Sequence, residues 1–131
     1  MGNLHETNKK YFDTIDSIIS TYKDYRVFLM TDDLYLLKAF LGRYGEKIVY
    51  TDCLRTDSST GVHYQNIADR HRLGVEIMID TYLAIKGDIF IGNSRSNPSC
   101  MILYLKKWNK NDIHLFGPNM HHTYNTFLHN W

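Results

Sequence analysis

The sequence predicts one α/β domain in which helices cover both faces of a parallel sheet. Segments with apolar residues three and four positions apart alternate with short apolar runs, in the order helix, strand, helix, strand, helix, strand, helix. The length of 131 residues suits one domain with a core of its own. A hydrophobic share of 44% and a charged share of 22% are typical of ordinary globular proteins.

Each predicted element depends on a local pattern. Apolar residues at helical spacing define the helices, and short apolar runs between polar segments define the strands. Thr31, Asp32 and Asp33 offer N-cap chemistry to the second helix, and Pro98 suits the first turn of the fourth. The predicted helices are 8–25, 34–44, 72–86 and 98–108, and the predicted strands are 26–30, 47–50, 88–92 and 113–116.

The strand order and the burial of one helix can also be predicted. We expect strand 88–92 to lie in the middle of the sheet, between strands 26–30 and 47–50, with all of them parallel. Helix 72–86 carries apolar residues around nearly its whole circumference, which predicts a largely buried helix. The polar stretch 51–71 predicts a long loop, and loops of that length often carry function.

Composition disfavours several classes of partner. The formal net charge is only +1, so nothing indicates a nucleic-acid surface. The apolar runs are far shorter than the roughly 20 residues of a membrane span, and no secretory signal is present, so a complete chain is expected in the cytoplasm. Cys53 and Cys100 predict reduced structural thiols. The His-rich tail 118–131 shows neither periodicity nor the ligand spacing of a metal site.

Ligands of doubly wound folds bind beyond the carboxyl ends of the strands, which directs attention to two segments. Asp32 and Asp33 follow the first strand, where a carboxylate can bind a ribose hydroxyl, a metal or a base. Helix capping alone explains one of these two acids. The other segment is the turn 92–99, between the third strand and the fourth helix.

The turn 92–99 is a candidate cradle for a diphosphate. Unpaired N–H groups and the helix dipole attract anions at the start of a helix. Ser94 and Ser96 offer hydroxyl donors, Arg95 offers a positive charge, and Asn97 stands at the same helix start. The glycine spacing of dinucleotide-binding loops is absent, and an ordinary capped turn is the alternative explanation.

Two acids interrupt the apolar helix 72–86. Glu76 and Asp80 lie four positions apart on one face, where like charges repel unless a cation or a donor group accompanies them. A carboxylate in this place can accept two hydrogen bonds from the edge of guanine. Pairing with Arg70 or Arg72 is the alternative.

Several of these segments occur in the same order as in a known family. The run 27–33 resembles that family's strand ending in Ala-Thr-Asp-Asp, and 77–80 resembles its Ile-Ile-Asp helix. Residues 88–91 resemble the strand before its Ser-Ser turn, Ser96 falls on its phosphate-contacting serine, and 116–117 fall on its Phe-Gly. Over nearly its whole length the chain therefore resembles the core (alpha-1,6) fucosyltransferases, with bacterial Nod-factor and protein O-fucosyltransferases as more distant relatives.

The resemblance implies a Rossmann-like doubly wound domain, the C-terminal half of a GT-B-type glycosyltransferase, with residues 1–131 as one nucleotide-sugar-binding unit. It implies that Asp80 binds guanine, that Ser96 contacts the β-phosphate, and that Asp32 and Asp33 line the donor pocket. GDP-fucose is then the donor substrate and a glycan or protein the acceptor. The implied transfer inverts the sugar and needs no metal or other cofactor.

The resemblance also leaves part of the chemistry outside this chain. The family's His-x-Arg-Arg-Thr-Asp segment, whose arginine neutralises the departing diphosphate, is expected upstream of residue 1 or on an N-terminal partner domain, and Arg95 can compensate only in part. The leading hypothesis is a fucosyltransferase-like transferase without an assigned catalytic residue. The alternatives are an inactive GDP-sugar-binding module and a structural or interaction domain that retains only the fold.

Overall fold

The computed structural model describes residues 4–53, 55–56, 70–94 and 96–117 of the chain. These residues form a mixed α/β structure. The helices are α1 (Leu4–Ile19), α2 (Leu34–Tyr44), α3 (Arg70–Ala84) and α4 (Asn97–Leu105), and the strands are β1 (Val27–Phe28), β2 (Ile48–Val49), β3 (Phe90–Asn93) and β4 (Ile113–Phe116). Short 3-10 helices at Gly45–Lys47 and Lys110–Asp112 lead into β2 and β4.

The type and order of the predicted elements are confirmed. The largest boundary difference is at α1, which ends at Ile19 and not at residue 25. The hydroxyls of Ser20 and Thr21 donate to the carbonyls of Ser17 and Ile18, at oxygen–oxygen distances of 2.7 and 2.8 Å. Side chains that bond to nearby carbonyls compete with continued helix, so α1 stops although apolar spacing continues.

The strands pair in parallel, but in a different order from the one predicted. β1 pairs directly with β2, with Val27 opposite Ile48, and β3 pairs with β4, with Phe90 opposite Ile113. In the described residues these pairs form two separate two-stranded sheets. The prediction that β3 lies between β1 and β2 is therefore wrong, because α2 returns the chain from β1 to a position directly beside it.

The first hydrophobic cluster lies between α1, α2 and the β1–β2 pair. The ring of Phe12 lies 5.0 Å from that of Phe40 and 6.0 Å from that of Tyr44, measured between centroids. Arg43 forms an ion pair with Asp16 and lies over the ring of Phe12 at 4.9 Å. The buried members of the cluster are Ile15, Leu29, Leu37, Phe40, Tyr44 and Ile48.

The second hydrophobic cluster lies between α4 and the β3–β4 pair. The indole nitrogen of Trp108 donates to the carbonyl of Ile102 at 3.0 Å, and Lys106 covers the indole ring at 4.0 Å. Ile91 of β3 packs against the first cluster and Met30 packs against the second, so the two halves share an interior. The buried members of the second cluster are Phe90, Ile102, Leu103, Trp108 and Leu115.

Helix α3 is much less buried than its sequence predicts. Leu73, Asp80 and Thr81 are its buried residues. The opposite face is apolar but exposed: Val75, Met78, Ile79 and Tyr82 keep 44, 50, 49 and 51% of their surface accessible. The prediction of a largely buried helix is wrong, since α3 packs through one side only. Within the described residues, no helix is both long and apolar enough to cross a bilayer.

Candidate functional site

An open cleft reaches into both hydrophobic clusters and is lined by residues from both halves of the structure. Its wall includes the ends of β1 and β3, the start of α4, and residues on both the buried and the exposed sides of α3. Its volume of about 1780 Å³ exceeds the roughly 300–1,000 Å³ of typical small-ligand sites. The polar side chains of its wall therefore indicate the position of a ligand site more specifically than the volume does. The lining includes Asp32, Asp33, Thr51, Cys53, Asp80, Ser96 and Asn97.

Asp80 is the most buried acid of this lining, with 4% of its surface accessible. The hydroxyl of Thr51 donates to its Oδ1 atom, and the Cys53 thiol lies 4.0 Å from its Oδ2 atom. Arg72 pairs with Glu76, with 3.0 Å between Nε and Oε1. Within the described residues, Asp80 forms no ion pair with an Arg or Lys side chain. The pairing that was the alternative explanation of these acids therefore applies to Glu76 and does not apply to Asp80.

A buried carboxylate without a cation needs hydrogen-bond donors, because desolvation of an ionised group is costly. A carboxylate has acceptor sites for about four hydrogen bonds, and the contacts from Thr51 and Cys53 fill only part of that capacity. Asp80 therefore retains the ability to accept hydrogen bonds from a ligand in the cleft.

Cys53 contributes a protonated thiol to this group. Burial raises the pKa of Cys53; the Arg55 guanidinium opposes that shift and the Asp80 carboxylate adds to it. The thiol therefore keeps its proton at neutral pH and can act as a weak donor to Asp80. A reactive thiolate nucleophile would need the opposite shift, so the surroundings of Cys53 favour a structural or recognition role.

Arg55 lies beside these residues. Its Nη1 atom donates to the carbonyl of Cys53 at 3.4 Å, and its guanidinium lies 5.2 Å from the centre of the Tyr50 ring. Its Nε and Nη2 atoms are buried and have no hydrogen-bond partner within the part of the chain that the structure describes. Thr51, Cys53 and Arg55 were not among the predicted site residues, although the long loop after β2 was the segment predicted to carry function.

Asp33 and Asp32 occupy the expected position beyond β1. One carboxylate oxygen of Asp33 accepts from the amides of Tyr35 and Leu36, at 2.8 and 3.2 Å, so Asp33 caps α2 as predicted. The backbone carbonyl of Asp32 accepts from the amide of Thr56 at 2.9 Å. This contact holds the segment after β2 against the end of β1, and both acids face the cleft.

The turn after β3 separates its polar residues into two groups. Ser94 is buried, and its amide donates to the carbonyl of Phe116 at 2.8 Å, which extends the β3–β4 pairing. Ser96 and Asn97 line the cleft. Arg95 lies outside the described residues. The structure thus places Ser96 and Asn97 in the same cleft as Asp80. Ser94 instead contributes to the pairing of β3 with β4 through its backbone hydrogen bond.

Gly92 explains how closely this turn packs on β3. A Cβ atom at this position would lie 2.5 Å from the Phe90 ring and 2.8 Å from the Ser99 hydroxyl. Those distances are shorter than van der Waals contact, so any side chain would displace either the core ring or the first turn of α4. The absence of a side chain at Gly92 therefore allows the first turn of α4 to lie directly against β3.

The start of α4 is suited to an anion. Ser96 is the N-cap residue, but its hydroxyl makes no capping hydrogen bond within the described residues. The amides of Asn97 and Ser99 have no intrahelical acceptor at this position, and Pro98 has no amide hydrogen. These donors and the dipole of the nine-residue helix favour negative charge.

Comparisons with other proteins identify no family for this chain. No protein-family model, no curated protein and no solved structure matches it. In the described residues, no group of three or more His, Cys, Asp or Glu side chains is placed to hold a metal ion. The chemistry of the cleft must therefore be inferred from its own residues.

Proposed function

We propose that the chain is the GDP-sugar-binding domain of a fucosyltransferase-like glycosyltransferase. One observation carries the proposal: the buried acceptor Asp80 and the anion-favouring helix start at Ser96 line the same cleft. A nucleoside diphosphate presents both hydrogen-bond donors on its base and negative charge on its phosphates. In this proposal Asp80 accepts from guanine, while Ser96 and Asn97 bind the diphosphate.

The same proposal includes a Rossmann-like arrangement, as in the C-terminal half of a GT-B enzyme. Its support is that both strand pairs are parallel and that Met30 and Ile91 pack across the two halves. Asp32 and Asp33 then lie at the carboxyl edge where such folds bind their ligands. Asp33 supports the pocket through the cap of α2, because its carboxylate is engaged there.

Transfer of fucose requires groups beyond those of this cleft. The departing GDP carries negative charge that cationic groups must stabilise, and the acceptor hydroxyl needs a base. We propose that an N-terminal domain supplies these groups together with the site for a glycan or protein acceptor. GDP-fucose is the donor substrate, and metal independence follows from the resemblance to the fucosyltransferases.

One observation favours a different function. The exposed apolar face of α3, formed by Val75, Met78, Ile79 and Tyr82, is more typical of a protein contact than of a solvated helix. Met78 and Tyr82 of this face also line the cleft, so the face adjoins the cleft. An interaction domain would have such a face without binding nucleotide. Binding of GDP distinguishes this candidate from the nucleotide-sugar-binding domain, and turnover of GDP-fucose distinguishes an enzyme from an inactive binding module.

The test is calorimetry of GDP and ADP with the wild type and with Asp80→Asn. The substitution replaces one acceptor oxygen with a donor and leaves a guanine N–H without its partner, so we expect a loss of roughly 1–3 kcal/mol for GDP. ADP binding should change little, because adenine presents a different edge. Asp13→Asn, on the exposed side of α1, is the matched control. Equal binding of GDP and ADP, or an unchanged GDP affinity of Asp80→Asn, would contradict the proposal.

A further inference from the structure

Two residues outside α3 contact the oxygens of the Asp80 carboxylate. Rotation of an Asp carboxylate about its terminal bond is only weakly restricted, so α3 alone does not fix the plane of this group. Thr51, which follows β2, donates its hydroxyl proton to Oδ1 of Asp80, and Cys53 approaches Oδ2. The plane of the carboxylate is therefore defined by two residues that lie 29 and 27 positions earlier in the chain.

Recognition of guanine depends on that plane. The N1–H group and the exocyclic amine of guanine are two parallel donors, and a carboxylate binds both only when its two oxygens face them together. Oδ1 can accept one bond from Thr51 and a second from the ligand, while the weak thiol contact is the one that Oδ2 makes within the described residues. The contact with Thr51 thus orients the carboxylate and leaves acceptor capacity on both oxygens.

We propose that Thr51 is a positioning residue that gives the cleft its preference for guanine. This inference rests on the proposed GDP-binding function and adds to it a residue whose side chain acts through Asp80. Without the Thr51 hydroxyl the carboxylate rotates, and a rotated carboxylate accepts from one guanine donor at a time. The diphosphate contacts at the start of α4 do not depend on this rotation, so adenine nucleotides should lose little.

Three variants test whether an effect on binding arises from the orientation of Asp80 or from a general disturbance of the segment after β2. Thr51→Val keeps the shape of the side chain and removes the hydroxyl, whereas Thr51→Ser keeps the hydroxyl. Cys53→Ala removes the weaker thiol contact to the same carboxylate. Calorimetry of GDP and ADP with each variant measures both the affinity and the ratio of the two dissociation constants.

We expect Thr51→Val to weaken GDP binding by about 3- to 10-fold, the effect of losing one hydrogen bond, with ADP binding nearly unchanged. Thr51→Ser should keep both the GDP affinity and the GDP preference, and Cys53→Ala should have a smaller effect than Thr51→Val. Circular dichroism establishes that each variant is folded. If Thr51→Val does not fold, Thr51→Ala replaces it in the same comparison.

The outcomes distinguish this inference from the proposed function. A wild type that binds GDP and ADP equally would overturn both. A wild type that prefers GDP, combined with a Thr51→Val variant that loses GDP and ADP affinity in equal proportion, would overturn the positioning role alone. The same conclusion follows if Thr51→Ser loses the preference as completely as Thr51→Val.

Discussion

The two halves of the molecule use their interiors differently. In the half formed by α1, β1, α2 and β2, a cluster of aliphatic and aromatic side chains fills the interior. Its buried polar residue, among those described, is Thr56, which bonds to the backbone beyond β1. In the half formed by α3, β3, α4 and β4, the buried residues include Asp80, Thr81, Ser94 and Ser99. The second half also leaves apolar side chains of α3 exposed.

The rim of the first half shows how polar groups support packing there. Tyr44 donates its hydroxyl proton to Asp16 at 2.9 Å, and Arg43 pairs with the same carboxylate. Burial, together with the hydrogen bond to Asp16, raises the pKa of Tyr44 to about 12, so the phenol stays protonated. These groups join α1 to α2 and do not belong to the lining of the cleft, which indicates a structural role.

The difference between the halves favours the second half as the location of the functional residues. Buried polar groups are costly unless they are satisfied, and a fold retains them where they serve a network or a ligand. The first half has the composition of a stabilising core. The second half keeps inside an open cleft an acid that forms no ion pair within the described residues, which is a poor arrangement for stability and a useful one for recognition.

The largest expected effect is on the free energy of unfolding, when a buried leucine in each half is replaced by alanine. Leu37 on α2 and Leu73 on α3 are both buried, at 6 and 8% accessibility, but only Leu37 belongs to a hydrophobic cluster. We expect Leu37→Ala to lower the free energy of unfolding by about 3–4 kcal/mol and Leu73→Ala by about 2 kcal/mol, since Leu73 faces the open cleft. Urea denaturation measures both, and equal losses would show that the two halves are packed equally well.

A smaller effect on stability is expected from substitutions at the N-cap residues of α2 and α4. Asp33 caps α2 with its carboxylate, whereas the hydroxyl of Ser96 makes no cap bond to α4 in the described residues. Asp33→Ala should therefore cost about 1 kcal/mol of stability. Ser96→Ala should cost only a few tenths of a kcal/mol of stability. If the cleft binds GDP as proposed, the same substitution should weaken GDP binding. Thermal unfolding with and without GDP measures both; a Ser96→Ala loss as large as that of Asp33→Ala would show that Ser96 is a structural cap.

The smallest expected effect concerns the exposed face of α3. Ile79→Gln places a polar side chain where 49% of the isoleucine surface is already accessible, so the free energy of unfolding should change by less than about 0.5 kcal/mol. Ile102→Gln is the matched control, because Ile102 is 3% accessible in the second cluster and must lose far more. A strong destabilisation by Ile79→Gln in the isolated chain would mean that this face is covered in solution.

The elements were predictable because their signals are local. Apolar spacing predicted the helices and strands, and the polar run of Thr31, Asp32 and Asp33 before an apolar helix predicted a cap, which Asp33 supplies. The strand order was not predictable from these signals, since the alternation of elements is the same whether β3 lies beside β1 or beside β4. The exposed face of α3 was not predictable either, because apolar residues on a helix do not reveal which of them find a partner.

The candidate site was predictable only in part. The rule about the carboxyl ends of parallel strands directed attention to Asp32, Asp33, Ser96 and Asn97, which all line the cleft. Asp80, which also lines it, was singled out as an acid in an otherwise apolar helix. Thr51 and Cys53 share no sequence pattern with Asp80, and their contacts with it cross 29 and 27 positions of the chain. Such a pairing depends on the path of the β2–α3 connection, which no local pattern specifies.

The bridge between Asp33 and Thr56 has a consequence for the thermodynamics of binding. The Thr56 amide donates to Asp32 and the Leu34 amide donates to the Thr56 carbonyl, each at 2.9 Å. The segment that carries Thr51 and Cys53 is therefore held at one end by the pairing of β2 with β1 and at the other by Thr56. Thr51 and Cys53 are consequently in contact with Asp80 before any ligand arrives. Ordering a side chain on binding costs roughly 0.5–1.5 kcal/mol, and a preorganised segment avoids that entropic penalty. Binding of a ligand beside Asp80 should therefore be fast and should need little rearrangement of the backbone.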